Sequence, residues 1–134
     1  MSISLSTQFT SRFDDAVGRT REALMQQGFG VLSEIDVATA LKSKLGVEME
    51  DYLILGACDP ALAHRALNRD REIGLLLPCN VLVRADPGDP GRVIVEAMNP
   101  GMFLEITGDL ALKEIADEIT KKLCAAIASL GPTV

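Results

Sequence analysis

The chain has 134 residues and a formal net charge of -6, from 13 basic and 19 acidic residues. This length fits a single domain, residues 1–134, which buries enough surface to fold without a metal or a disulfide. An acidic chain without clustered Lys and Arg is poorly suited to bind nucleic acid or an anionic membrane, and no apolar run approaches the roughly 20 residues of a membrane span.

The first third of the chain predicts two strands and two helices. Residues 2–9 alternate apolar and polar side chains, which is typical of a half-buried strand. Thr10 or Ser11 is expected to cap the next helix, which Gly28 should end. After a strand at residues 29–35, Asp36 should cap a short helix that ends at Gly46.

The middle of the chain predicts a strand, a helix and a second strand. Tyr52 to Ala57 is an apolar run, and Asp59-Pro60 follows it as an N-cap and first helical residue for a helix that reaches about Asn68. A second apolar run, residues 74–84, predicts a fourth strand in which Pro78 marks a bulge or an edge.

The last third predicts a hairpin and two helices. A turn at residues 85–91 should pair a fifth strand, 92–98, with the fourth. Asn99-Pro100 again resembles a cap followed by proline, and an apolar stripe from Leu112 to Leu130 predicts a long C-terminal helix. The predicted fold class is α+β: a mostly antiparallel sheet of about five strands, two long helices on one face, and short helices in the connections.

Three segments resemble a known family. They are GFGVLSEIDV at 28–37, LGACDPALAHRAL at 55–67 and IGLLLPCNVLV at 73–83. In this order they are similar to domain-of-unknown-function family 302, an uncharacterised bacterial and archaeal domain. The resemblance implies a compact α+β domain with a curved antiparallel sheet that commonly self-associates, hence a homodimer, and it carries over no catalytic residue. The family often has Asn where this chain has Asp59, and Asp where it has Asn99.

Two of the three cysteines are candidates for a functional site. Cys58 precedes a predicted helix N-terminus, where unpaired N–H groups lower a thiol pKa, although the neighbouring Asp59 opposes that effect. Cys79 follows Pro78, and a bulge there would aim Cys79 and Asn80 at a common pocket. Each cysteine is more simply explained as a small buried residue. The third cysteine, Cys124, lies beside Leu123 in the last helix and is interpreted as a packing residue.

The other candidates are weaker. His64, the only histidine, is interpreted as a surface residue, with general-base chemistry as the alternative. Cys58, His64 and Cys79 lack the short spacing of zinc sites, so no metal or cofactor is predicted, although two thiolates would suit a soft metal such as Cu(I). Glu34 and Asp36 share one strand face and could serve acid-base chemistry or bind a cation. Asp36 is more simply a cap, and Glu34 a solvated strand end.

Three functions remain open at this point. The favoured one is a small binding module with a ligand or thiol site near Cys58 and Cys79. The alternatives are a cysteine-based redox, sulfur-transfer or acyl-transfer enzyme, which the few convergent polar groups disfavour, and a domain that serves only its own dimer. The absence of a signal-like N-terminus and the odd number of cysteines, with no C-x-x-C pair, predict a cytoplasmic protein with free thiols.

Overall fold

The computed structural model describes residues 4–132. Five strands form one antiparallel sheet: β1, Ser4–Thr10; β2, Gly30–Asp36; β3, Tyr52–Cys58; β4, Cys79–Asp86; and β5, Asp89–Met98. Their order across the sheet is β1-β5-β4-β3-β2, so the predicted hairpin of β4 and β5 lies in its middle. The predicted α+β class is confirmed. Ile3, which the sequence assigns to the first strand, lies outside the described residues.

Two long helices cover one face of the sheet. They are α1, Phe13–Gln26, and α5, Lys113–Ala128, which contact each other and the strands. The strand side chains beneath them are buried because alternate residues of each strand point to this face. They form the core with the helices: Leu53, Leu55, Ala57, Val81, Val83, Val93, Val95 and Ala97 from the strands, and Ala16, Leu24, Ile115, Ile119, Leu123 and Ile127 from the helices.

The short helix α2, Val37–Leu45, and the helix α3, Pro60–Arg69, begin directly after the predicted capping residues, Asp36 and Asp59. The Asp36 side chain accepts a hydrogen bond from the backbone N–H of Thr39, and Gly46 ends α2 in the left-handed conformation. Asp59 caps α3 by accepting from the N–H of Leu62. A carboxylate before a helix satisfies N–H groups that have no partner inside the helix, which explains why these positions are readable from sequence.

Two other capping predictions were wrong. β1 continues through Thr10, Ser11 donates its N–H to the carbonyl of Gly91, and Arg12 occupies the N-cap position of α1 without a side-chain bond. The last short helix, α4, spans Met102–Thr107 and begins after Gly101 rather than at Pro100. The Asn99 side chain instead accepts from the N–H of Gly101, two residues ahead, which is a turn rather than a helix cap.

The predicted fourth strand was too long. Residues Arg71–Leu76 form a 3-10 helix, which Asp70 caps by accepting from the N–H of Glu72. β4 begins at Cys79, directly after Pro78, and lies between β3 and β5. Pro78 therefore marks neither a bulge nor an edge; it precedes a central strand, where its missing N–H interrupts no pairing. Its ring packs against Gly56, where any Cβ would meet Pro78 Cγ at 2.8 Å.

No long helix of the described chain covers the second face of the sheet, and we call it the open face. Its residues are partly exposed, including Ile54, Leu82 and Ile94. Near its centre Arg84 Nε donates to Glu96 Oε1 at 2.7 Å. Within residues 4–132, no helix is both long and apolar enough to cross a membrane.

Candidate functional site

The two candidate cysteines lie on neighbouring strands at one end of the sheet. Cys58 is the last residue of β3, Cys79 is the first residue of β4, and Cys79 pairs with Ala57 across the sheet. Both line a cavity of about 10 Å³, together with Phe29, Leu77 and Ile119 among others. That volume is about the space of a single water molecule. The structure thus brings the cysteines together, in an interior too well filled for a ligand.

Neither thiol is activated by these surroundings. Burial, and then the charge of Asp59, raise the pKa of Cys58. Burial, and then the charge of Cys58, raise the pKa of Cys79 to about 11. The lowering expected from the helix N-terminus is therefore outweighed at Cys58. Because the thiolate is the nucleophilic form, both cysteines are predominantly unreactive thiols near neutral pH.

A buried carboxylate, that of Asp59, forms an ion pair beside the cysteines. This carboxylate accepts two hydrogen bonds. Lys122 Nζ donates to Oδ2 at 2.5 Å, and the backbone N–H of Leu62 donates to Oδ1 at 3.2 Å. Gly28 faces this ion pair, and a Cβ there would lie 3.6 Å from both Oδ2 and Nζ. Burial by itself would raise the pKa of Asp59, but the hydrogen bonds and the positive charge of Lys122 outweigh it and leave the pKa below its ordinary value. Asp59 is thus a cap that also binds α3 to α5.

The remaining sequence candidates do not join the cysteines. His64 is exposed on α3, as predicted, and its Nε2 lies 3.3 Å from Asn68 Nδ2. Glu34 forms an ion pair with Arg21 of α1 and does not line the cavity beside the cysteines. In the described part of the chain, no three His, Cys, Asp or Glu residues are grouped so that they could hold a metal ion, so Cys58, His64 and Cys79 do not form a three-ligand site.

Two expectations about residue placement were wrong. Cys79 is buried and Asn80 is exposed, because β4 is regular here and successive side chains point to opposite faces; they do not share a pocket. Cys124 is exposed, not packed. It follows Leu123 in α5, but consecutive residues of a helix point about 100° apart and do not share a face.

Asn80 instead lies beside a groove on the open face. The groove has a volume of about 450 Å³, and four large apolar side chains are among its lining residues: Leu82, Met98, Met102 and Ile106. Ser4, Asn80 and Glu96 supply its polar groups. Volumes of roughly 300–1,000 Å³ with mainly apolar walls and a few polar groups are typical of small-molecule sites.

The groove is formed by the sheet and α4. Leu82 pairs with Glu96 and Ser4 pairs with Met98, so two rows of the sheet form its floor. Met102 and Ile106, one helical turn apart, form its wall, while Phe103 between them is fully buried and fixes α4 to the core. Ile106 remains 61% exposed.

The sequence indicated Asn80 as a candidate site residue but none of the other residues that line the groove. The alternation in β4 and β5 indicates which residues share a face, and the spacing of Met102 and Ile106 is visible in the sequence. No local pattern shows that α4 lies beside the open face.

The chain was compared with known proteins. The family model described as "Domain of unknown function DUF302" matches residues 5–130. The crystal structure of uncharacterized conserved protein DUF302 from Bacillus stearothermophilus is 31% identical in sequence, with coverage of 96% of this chain and 98% of that chain and a TM-score of 0.86. No match was found among the curated proteins.

Proposed function

This chain belongs to the DUF302 family, and from its own residues we propose that it is a small binding module whose ligand occupies the groove on the open face. The observation that carries the proposal is the contrast between two cavities. The space beside Cys58 and Cys79 is about 10 Å³, whereas the groove beside Asn80 is about 450 Å³. Of these two cavities, the groove is the one with room for a small molecule.

Exposed apolar side chains support this choice. Ile106 is 61% exposed although Phe103, in the same helix, is completely buried. Contiguous apolar surface on a soluble domain is often functional, since it costs free energy to leave it in water. A cysteine-based enzyme is less well supported, because the pKa of each candidate thiol is raised. The free cysteines fit a cytoplasmic location.

A fluorescence titration with Nile red, an uncharged apolar dye, tests the groove. We expect the wild-type protein to bind the dye and Ile106→Glu to weaken binding by about tenfold or more, because it puts a charge on the apolar wall. Leu110→Glu is the matched control: Leu110 is 78% exposed but does not line the groove. Equal weakening by both variants would contradict the proposal.

The second candidate function is an interaction domain that pairs with a second copy of itself. A row of apolar side chains supports it, because Ile35, Ile54 and Leu82 are aligned across β2, β3 and β4 on the open face. Ile35 is 52% exposed. A two-fold contact would bring this row against its own copy and bury it on both chains.

Light scattering over a range of protein concentrations distinguishes this second candidate. The homodimer predicts twice the mass of the chain and a shift toward monomer in Ile35→Lys. Leu45→Lys is the control, since Leu45 of α2 is also well exposed but lies outside the row. A monomeric wild-type protein at all concentrations excludes the dimer and leaves the groove proposal intact.

A further inference from the structure

We infer that the groove selects an aliphatic molecule whose head group donates hydrogen bonds and carries no negative charge, such as a primary amide or a protonated amine. This inference rests on the proposed binding function. It names the class of ligand from the side chains that line the groove.

The apolar part of the groove fits an aliphatic chain better than a large planar ring. Its principal contacts are Leu82, Met98, Met102 and Ile106, and none of the described residues that line it is aromatic. Methionine has an unbranched, adaptable side chain that fits irregular apolar shapes. Two methionines and two branched aliphatic residues therefore offer dispersion contacts along a flexible chain without a stacking surface.

The polar part of the groove accepts hydrogen bonds and attracts positive charge. Glu96 supplies a carboxylate, and within residues 4–132 no Lys or Arg lines the groove. The Asn80 amide also faces the solvent and forms no side-chain hydrogen bond with another residue in the range 4–132. An ionised carboxylate is only an acceptor, whereas an amide both donates and accepts. A head group with N–H donors satisfies both residues, but an anion would be repelled by Glu96.

The neighbouring Arg84 holds Glu96 in place rather than reversing this preference. Arg84 Nε donates to Glu96 Oε1 at 2.7 Å, and the two side chains are similarly shielded from solvent. Arg84 pairs with Ile94 in the next row of the sheet and is not among the residues that line the groove. A carboxylate offers about four acceptor positions on two oxygens, so one bond from arginine leaves positions for a ligand.

Three probes with the same eight-carbon skeleton test the head group: octanamide, octylamine and octanoate, each titrated by calorimetry. We expect octanamide and octylamine to bind at least about tenfold more tightly than octanoate. Glu96→Gln removes the negative charge of the carboxylate and the ionic partner of Arg84. The binding of octylamine should therefore weaken by about tenfold, and the binding of octanoate should become tighter. Glu118→Gln is the matched control, because it also removes a carboxylate paired with an arginine, Arg65, and Glu118 does not line the groove.

The outcomes separate this inference from the proposed function. Equal binding of all three probes, unchanged in Glu96→Gln, overturns the head-group selection but leaves the groove as an apolar site. Tighter binding of octanoate than of the other two probes also overturns it, and would mean that Arg84 rather than Glu96 determines which head group binds. Equal weakening of octylamine in Glu96→Gln and Glu118→Gln shows attraction to net charge alone and contradicts the inference. If neither these probes nor Nile red binds, the binding function itself fails.

Discussion

Cys79 is expected to resist alkylation in the folded protein at pH 7.5, whereas Cys124 is modified quickly because it is exposed. A pKa of about 11 in place of the ordinary 9.0 reduces the thiolate fraction of Cys79 near neutral pH by about a hundredfold. Burial adds to this, since only 3% of the residue is accessible to the reagent. Cys58, which is half-buried and whose pKa is also raised, should react at an intermediate rate.

Mass spectrometry of iodoacetamide-treated peptides, over a range of pH and with and without urea, measures each rate. Cys124→Ser removes the fast reaction and should leave the other two rates unchanged. Cys58→Ser should not make Cys79 reactive, because burial is the main cause of the raised pKa of Cys79 and the charge of Cys58 is a lesser one. If Cys58 or Cys79 instead reacted as a thiolate near pH 7, a thiol-based activity would replace the groove as the leading function.

The sequence allowed the fold class to be predicted because most of its signals are local. Asp36 and Asp59 each precede a helix whose free N–H groups they cap, and Gly46 ends one with a left-handed backbone. Such bonds involve residues within a few positions of one another, so the chain order contains the information. The apolar run before Pro78 was misassigned because short apolar runs fit strand and helix alike. Asp70, which caps the 3-10 helix there, was the overlooked signal.

The candidate site was less predictable because it depends on contacts between distant segments. The raised pKa of Cys79 comes mainly from burial, which depends on the packing of helices against the sheet. The groove likewise needs Leu82 of the fourth strand, Met98 of the fifth and Ile106 of α4 at one place. Periodicity shows which residues of one element share a face, but it does not show what covers that face.

Asp59→Ala is expected to lower the free energy of unfolding by about 1–2 kcal/mol at pH 7, since it removes the cap of α3. It also removes the buried partner of Lys122, a side chain that is 40% exposed, so solvent screening limits this second loss. Asp59→Asn keeps a side-chain oxygen that can accept a hydrogen bond from the N–H of Leu62. It should therefore lower the free energy of unfolding by less than Asp59→Ala does. Urea denaturation of both variants and of the wild-type protein measures these differences.

The pH dependence separates the charge of Asp59 from its capping role. The pKa of Asp59 is lower in the folded protein than the ordinary value of about 3.9, so folding favours the ionised form. Its contribution to stability is complete above about pH 5 and is lost as the pH falls through the folded-state pKa. Asp59→Asn has no carboxylate to protonate, so its stability should fall less steeply than that of the wild type below pH 5. Parallel curves for the two proteins would show that Lys122 contributes no measurable stabilisation through Asp59, leaving the carboxylate as a cap alone.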